Sequence, residues 1–341
     1  MVKKKIIIIG NIGAKVSGSS LSFKRFYEKL ISLNSDNIIF INTFRNRNNF
    51  LSNALKSFSI LIKMFFIINN CKIISFNSDE RAFIFFGPIV YIFAKLFRKK
   101  IVSRVFGGSL DVHYERSTPI IKLFFRNTIM KSDTVFLQTN LLMNYFSELN
   151  YNLKKLPTSR RAINKKIKFK KKASKYIFLG RISDSKGIKY LNDAVEDLDL
   201  SISVDLYGSV EDKELLTLIN NNPKIRYKGY IDHDNIYETL SAYDVLILPT
   251  FYEGEGYPGA IIEAYQCGIP VIVTKWRSIP EIVDKTCGII VPIKSSTEIK
   301  GAIHKLYYDS VLYQNLQKGA QIKSLEFDEE KWFKVFHNEL L

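Results

Sequence analysis

The sequence has 341 residues, of which 46% are apolar and 13% aromatic; this predicts two folded domains and excludes a disordered chain. Three widely spaced cysteines, four scattered histidines and no CxxC pair argue against a disulfide framework and a zinc site, and are typical of a reducing cytosol. The net charge of +17 is uneven, because residues 1–172 carry +24 and residues 173–341 carry −7. A basic half joined to an acidic half predicts that one domain faces a polyanion, either a nucleic acid or an anionic membrane.

The first half alternates short apolar runs with longer mixed segments, which is typical of a parallel sheet with crossover helices. The apolar runs predict strands at 5–10, 37–41, 72–75, 100–105 and 134–137. The longer segments predict helices that include 20–33, 51–68 and 119–131. The most apolar stretch, 82–97, is too short to span a bilayer comfortably and contains Gly87-Pro88, so we expect no transmembrane helix.

Residues 157–172 are polar and very basic and begin with a proline, which predicts a linker. Beyond it the alternation restarts, with strands at 176–179, 201–207, 225–227, 245–248, 271–274 and 288–291 and a helical tail over 297–341. We therefore predict two doubly wound α/β domains, 1–164 and 173–325, and a C-terminal helix at 326–341 that packs back on the first domain. In such sheets ligands bind beyond the carboxyl ends of the strands, so the loops there are the places to seek chemistry.

The loop after strand 245–248 holds the most informative pattern in the sequence. It reads PTFYEGEGYPGAIIEA over residues 249–264 and runs into a helix. Glycines let the backbone approach a ligand and leave amides free at a helix N-terminus. Glu255 lies in the loop and Glu263 inside the helix, and a carboxylate accepts the paired hydroxyl hydrogen bonds of a ribose or sugar diol. Glu253 is a competing acidic residue in the same loop.

A second pattern, LGRISDSKGI over residues 179–188, follows the first strand of the second half. Arg181 and Lys186 lie five positions apart beside a predicted helix start. Two cations at such a place suit a diphosphate, because the helix N-terminus adds its own amides to them.

Together the two segments resemble the Glu-x7-Glu and Gly-Arg…Lys-Gly motifs of the retaining family 4 glycosyltransferases, and the likeness continues through residues 266–272. The resemblance implies the GT-B fold, which is two facing Rossmann-like domains with a cleft between them. It implies that Glu263 holds the ribose hydroxyls of a nucleotide-sugar and that Glu255 and the amides of 256–259 face the transferred sugar. Arg181 and Lys186 would stabilise the leaving nucleoside diphosphate, so the pair would serve catalysis as well as binding.

The resemblance extends to loops that carry weaker motifs. The donor-binding residues that it implies are Gly13, Gly180, Arg181, Lys186, Gly208, Tyr230, Glu255, Gly256, Tyr257, Pro258, Gly259 and Glu263. The segment 104–114 resembles the acceptor-side loop of polysaccharide-assembling members. It implies that Arg104, Gly107, Gly108 and Ser109 contact the acceptor. Asp111 or His113 could orient the acceptor hydroxyl or take its proton.

Two Asp-x-Asp strings, 197–199 and 232–234, could in principle hold a metal under a diphosphate. Asp232 and Asp234 precede a predicted helix as N-cap residues, and Asp197 and Asp199 end a helix in a polar turn. We therefore predict a metal-independent enzyme without a cofactor, whose substrate is a UDP- or GDP-sugar.

The basic half also borders its apolar segments with lysines and arginines, at 51–68, 89–100 and 120–130. Such helices suit an anionic bilayer, although ordinary amphipathic helices buried on a sheet have the same pattern. No nucleic-acid-binding motif is readable. We predict a cytoplasmic transferase at the inner face of the membrane, acting on a lipid-linked glycan in surface polysaccharide synthesis. The alternatives are a nucleotide-sugar epimerase of the same fold and a basic nucleic-acid-binding protein.

Overall fold

The computed structural model describes residues 5–13, 18–34, 37–43, 50–150, 152–163, 167, 169–196, 198 and 201–341. Its contacts divide the chain into two compact units. Met1–Thr158 and Glu330–Leu341 form unit 1, and Ser159–Glu329 form unit 2. Each unit is built on a parallel six-stranded sheet, so the predicted α/β class and the two sheets are confirmed.

The sheet of unit 1 has the strand order β2-β1-β3-β4-β5-β6. Its strands are β1 (Lys5–Gly10), β2 (Ile38–Asn42), β3 (Cys71–Asp79), β4 (Lys100–Phe106), β5 (Thr134–Leu137) and β6 (Leu153–Lys155). The first five strands were predicted, and β3 is longer than its prediction. The sixth strand was missed because two of its three residues are lysines and none of its side chains is buried.

Helices cover both faces of this sheet. They are α1 (Gly18–Asn34), α2 (Phe50–Ile67), α3 (Glu80–Phe85), α4 (Gly87–Leu96), α5 (Leu110–Glu115), α6 (Pro119–Asn127), α7 (Asn140–Tyr145) and, from the end of the chain, α14 (Glu329–Asn338). One core cluster joins α1 and α14 to the sheet, and Phe26 contacts both Phe333 and Phe336. A second cluster joins α2, α3, α4 and α6 to the other side of the strands.

The sheet of unit 2 has the strand order β12-β11-β10-β7-β8-β9. Its strands are β7 (Lys175–Leu179), β8 (Ser203–Tyr207), β9 (Ile225–Tyr227), β10 (Val245–Leu248), β11 (Val271–Thr274) and β12 (Gly288–Val291). All six were predicted, four of them to the residue. Each central strand is a continuous apolar run because helices cover both faces of the sheet.

The helices of unit 2 are α8 (Ile188–Glu196), α9 (Lys213–Asn220), α10 (Ile236–Ser241), α11 (Gly259–Gln266), α12 (Ser296–Tyr308) and α13 (Ser310–Ser324). They enclose one large apolar core with the sheet. The chain leaves unit 1 after Thr158, earlier than the predicted boundary at 164, and returns to it after Glu329. The start of the predicted linker therefore belongs to unit 2, while its residues 164–166 and 168 lie outside the described ranges.

Candidate functional site

The strand order of unit 2 reverses between β7 and β10, because β8 and β9 extend the sheet on one side and β11 and β12 on the other. Open α/β sheets bind ligands beyond the carboxyl ends of the strands at this kind of switch point. The loop after β7 carries Arg181 and Lys186, and the loop after β10 carries Glu255. The topology alone therefore places the two predicted motifs side by side.

A buried ion pair joins the two loops. The Nζ of Lys186 donates to Oε2 of Glu255, and both residues are only 8% exposed. Thr250 Oγ1 donates to the same carboxylate oxygen at 2.8 Å. The amide of Phe251 donates to the carbonyl of Ser185 at 2.8 Å, which fixes the loops together at the backbone as well.

An aromatic ring, Tyr252, connects the two predicted phosphate cations. The guanidinium of Arg181 lies 4.8 Å from the ring centroid, and the ammonium of Lys186 lies 5.0 Å from it. Arg181 also forms an ion pair with Glu211 through Nη1, at 2.9 Å. The structure therefore brings Arg181, Lys186 and Glu255 into one cluster, and adds Tyr252 and Glu211, which the sequence motifs did not indicate.

Close backbone approaches explain two of the glycines in these loops. Gly208, after β8, has φ of +145°, and a Cβ there would overlap the carbonyl oxygen of Gly180. Gly187 has φ of +73°, and a Cβ there would overlap the carbonyl oxygen of Pro249. Only glycine adopts such conformations without cost, so both positions fix the loops that carry the cations.

Glu263, the predicted ribose ligand, has a partner that the sequence did not reveal. Oε1 of Glu263 accepts a hydrogen bond of 2.6 Å from Nε of Arg160, and the two residues are 5% and 3% exposed. Arg160 lies in the segment that the sequence predicted to be a linker. A local motif cannot show this pairing, because the two residues are far apart in the chain.

The helix α11 begins at Gly259 after Pro258, and no side chain caps its N-terminus. The amide of Ile261 donates to the carbonyl of Pro258 at 3.2 Å, so a ligand at this helix end would meet the amides that precede it. Hydrogen bonds to the segment after β11 fix Gly256 and Tyr257 in place. The carbonyl of Gly256 accepts from Ser278 Oγ at 3.0 Å, and the hydroxyl of Tyr257 donates to Glu281 at 2.6 Å.

Tyr230 lies on the loop after β9, two-thirds exposed, next to Gly229 with its φ of +81°. Gly13 follows β1 in unit 1, in a loop tied to β2 because Asn42 accepts from the amide of Ile12 at 3.2 Å. The residues 14–17 that continue this predicted loop lie outside the described ranges.

The predicted acceptor loop in unit 1 is held by Glu80, a residue the sequence did not indicate. Oε1 of Glu80 accepts from the amide of Ser109 at 2.9 Å and from its hydroxyl at 3.1 Å. Gly107 has φ of +114°, and a Cβ there would overlap the same carboxylate. Burial raises the pKa of Glu80, and the two Ser109 hydrogen bonds and the nearby charge of His113 oppose that shift. Gly108 and Asp111 belong to the same turn and helix.

The structure contradicts the placement of Arg104 on the acceptor side. Arg104 belongs to β4 and is 2% exposed, with its guanidinium over the rings of Phe26, Phe106 and Phe336. This burial lowers its pKa to about 9. The prediction failed because β4 continues through Phe106, so Arg104 projects from a strand into the core beneath α1 and α14 rather than from the loop.

The described residues contain no group of three or more histidine, cysteine or acidic side chains that could hold a metal ion. Asp232 caps a short 3-10 helix, His233–Asn235, by accepting from the amide of Asp234. The predicted capping of the following helix by Asp234 is wrong, because the N-cap of α10 is Asn235. Asp197 and Asp199 lie outside the described ranges.

Residues 159–323, which cover nearly all of unit 2, match the family model "Glycosyl transferases group 1". Unit 2 belongs to the group 1 glycosyltransferases. This glycosyltransferase is 29% identical over 272 residues to the uncharacterized glycosyltransferase MJ1069 of Methanocaldococcus jannaschii, across 72% of this chain and 68% of that protein. It is 30% identical over 116 residues to O-antigen chain mannosyltransferase B of Escherichia coli, across 31% of this chain and 30% of that protein.

Among solved structures, the glycosyltransferase resembles Anabaena Alr3699/HepE in complex with UDP, with a TM-score of 0.77 over 98% of this chain and 99% of that one. The sequence identity between them is 16%, so the likeness concerns the fold. The fold is GT-B, and the predicted fold class, family and enzyme class are confirmed.

Proposed function

We propose that this glycosyltransferase moves a sugar from a UDP- or GDP-sugar to a glycan acceptor, with retention of configuration and without a metal ion. The buried Lys186–Glu255 pair beside Arg181, at the switch point of unit 2, carries the proposal. A nucleoside diphosphate gains negative charge as its bond to the sugar breaks. Fixed cations at that point stabilise the transition state more than the ground state.

The proposed roles follow from these positions. Arg181, Lys186 and the uncapped amides of α11 bind the diphosphate, and Glu263 accepts hydrogen bonds from the ribose. The acceptor oxygen bonds to the anomeric carbon on the face from which the diphosphate departs, and its proton leaves with the departing diphosphate. Glu80 fixes the loop before α5, the helix that contains Asp111 and His113.

Two of the similar proteins support the donor and the pathway. HepE binds UDP, and the similar Escherichia coli protein is named an O-antigen chain mannosyltransferase. We accordingly place the reaction in the synthesis of a surface polysaccharide, with a lipid-linked glycan as acceptor.

Slow hydrolysis of the donor tests the proposal without an acceptor. We expect the protein to hydrolyse one member of a panel of UDP-, GDP- and ADP-sugars, at the same rate with and without EDTA, and to release the sugar as the donor's anomer. The Arg181→Ala and Glu263→Ala variants should lose this turnover while they remain folded, although Glu263→Ala should melt at a lower temperature because it leaves Arg160 buried without its partner. Full activity in both variants would show that the site assignment is wrong.

The same assay separates the alternatives. Inversion of the sugar at a ring carbon without loss of the diphosphate would indicate an epimerase. Salt-sensitive duplex binding that survives both substitutions would indicate a nucleic-acid-binding protein.

We further propose that unit 1 binds the cytoplasmic face of an anionic membrane. None of the described helices has the length and apolar character needed to cross a bilayer. Three neighbouring helices nevertheless carry apolar residues on their outer sides. These are Phe58, Ile62, Phe65 and Phe66 on α2, Ile89, Ile92 and Leu96 on α4, and Ile120, Leu123 and Phe124 on α6.

The three helices form one surface, which we call the apolar helix face. The ring of Phe65 on α2 contacts that of Phe97 at the end of α4, with centroids 6.0 Å apart, and α4 contacts α6. In α4 the protein covers only the side that carries Val90 and Ala94, although the outer side is just as apolar. An apolar surface of this extent marks an interaction site.

Charge favours a bilayer as the partner of the apolar helix face. Exposed basic side chains lie on or next to the same helices, at Lys63, Arg98, Arg126 and Lys131. Apolar side chains that enter the interface and cations that meet lipid phosphates are the two contributions that hold an interfacial helix.

Vesicle binding tests this surface. The three most exposed side chains of the apolar helix face are Phe66 (76%), Leu96 (74%) and Ile120 (71%). Replacing any one of them by serine should weaken binding to phosphatidylglycerol-containing vesicles about tenfold. Val311→Ser and Ile322→Ser are matched controls in unit 2, both 69% exposed, and should change nothing. Equal effects of the two sets, or no binding by the unaltered protein, would refute the membrane proposal.

A further inference from the structure

Two buried ion pairs lie at the proposed donor site among the described residues. The pair between Arg160 and Glu263 is the more deeply buried of the two. Nε of Arg160 donates to Glu263, and Nη1 donates to the carbonyl of Ser159 at 3.1 Å. A carboxylate removed from water needs such a counter-ion to remain ionised. Because Arg160 uses Oε1, the second oxygen of Glu263 remains for a ligand hydroxyl.

The backbone of Arg160 is fixed where the chain enters and leaves unit 2. Its amide donates to the carbonyl of Phe327 at 2.9 Å, and its carbonyl accepts from the amide of Glu329 at 3.0 Å. These bonds surround a parallel bridge between Arg160 and Asp328. The guanidinium therefore extends from a fixed backbone, which limits the positions that Glu263 can take.

The guanidinium also lies against the first turn of α11. A Cβ on Gly259 would overlap Nη2 of Arg160, so the glycine leaves room for the guanidinium. This places a buried cation at the helix N-terminus that is proposed to receive the donor phosphates. The burial that lowers the pKa of Arg160 is outweighed by the charge and hydrogen bond of Glu263, so its pKa is raised and it stays protonated.

We propose that Arg160 is a positioning residue of the donor site, which holds the Glu263 carboxylate directed at the ribose of the nucleotide-sugar. This inference rests on the proposed function, because it requires Glu263 to contact the donor. A purely structural ion pair would stabilise unit 2 and would not affect how donor binding depends on pH.

The test is the affinity for UDP, or for GDP if the hydrolysis panel selects a guanosine donor, measured calorimetrically between pH 6 and 8.5. Arg160→Met should weaken binding about tenfold to a hundredfold at pH 6. Relative to the unaltered protein, its affinity should recover as the pH rises, because a buried carboxyl group without a counter-ion is protonated more readily and then offers the ribose fewer acceptor sites. Arg160→Lys should restore the profile of the unaltered protein.

Other ionisable groups that face the pair are Tyr237 on α10 and Glu329 at the chain crossing. On α13, Lys323 pairs instead with Asp284 and Glu326. Glu263→Gln removes the titrating group, so Arg160→Met/Glu263→Gln should show no more pH dependence than Glu263→Gln alone. If the double variant depends on pH more strongly than Glu263→Gln alone, the excess belongs to Tyr237 or Glu329, and the inference is overturned.

A stability control separates positioning from folding. Arg160→Met leaves a buried charge unpaired and should lower the melting temperature. The double variant Arg160→Met/Glu263→Leu should regain the melting temperature of the unaltered protein but not its affinity for UDP. Unchanged UDP affinity in Arg160→Met, or a loss that does not vary with pH, would overturn the role of Arg160. Unchanged affinity in Arg160→Met/Glu263→Leu would instead refute the donor-site assignment on which it rests.

Discussion

Replacing Lys186 by methionine is expected to lower donor hydrolysis by about two to three orders of magnitude, the usual effect of removing one fixed group that stabilises developing negative charge. The ammonium is buried, bonded to Glu255 and held over the ring of Tyr252, so water cannot take its place. Lys189→Met, on the exposed side of α8 three residues later, is the matched control and should retain full activity. The measurement is the steady-state rate on the donor that the panel selects.

The lost ion pair must be separated from the lost catalysis. Lys186→Met leaves the Glu255 carboxylate buried without its cation, which costs about 3–5 kcal/mol of stability. Lys186→Met/Glu255→Gln should regain most of that stability, because the amide still accepts from Thr250. Its turnover should remain far below that of Glu255→Gln alone. Equal turnover in these two variants would show that Lys186 only neutralises Glu255.

Gly208→Ala is expected to lower the free energy of unfolding of unit 2 by about 2–5 kcal/mol, because alanine meets both an unfavourable φ and the carbonyl oxygen of Gly180. Two other glycines separate these causes. Gly229 has φ of +81° but open space around it, so Gly229→Ala should cost about 1–2 kcal/mol. Gly301 lies in α12 with neither constraint, so Gly301→Ala should add about 0.5–1 kcal/mol.

Urea unfolding can follow unit 2 alone. The chain has two tryptophans, Trp276 in unit 2 and Trp332 in unit 1, so a Trp332→Phe background leaves a single reporter in the unit of interest. The urea concentration at the midpoint should be highest for Gly301→Ala, lower for the unaltered background, lower again for Gly229→Ala and lowest for Gly208→Ala. A Gly208→Ala midpoint equal to that of Gly229→Ala would mean that the loop moves away from Gly180 at no cost.

Most strands of unit 2 could be predicted because they are short apolar runs, and every one of the six is followed by a glycine, a proline or a charged residue. The strand β6, by contrast, has lysine at two of its three positions and carries no periodic signal. The helix Glu329–Asn338 was expected to return to the first domain, and the structure places residues 330–341 in unit 1. Strands and helices can thus be predicted from the sequence where burial requires apolar residues at regular positions.

The candidate site divides in the same way. Arg181, Lys186 and Glu255 were predicted because their motifs are local and follow strands, and the structure brings them together. Arg160 and Glu80 were missed because each acts on a residue that is distant in sequence, Glu263 and Ser109 respectively. Such pairs follow from tertiary packing, which no spacing rule within one segment can reveal.

The return of the last helix to unit 1 has a consequence for synthesis on the ribosome. Phe333, Phe336 and Leu340 complete a core that also contains Ile8 and Phe136, yet all of unit 2 is translated between the two parts. At ordinary elongation rates, roughly ten to thirty seconds separate the synthesis of the first part of unit 1 from that of the helix that completes its core. Unit 2 is continuous in the chain and can finish folding first, so the domain made first is the one completed last.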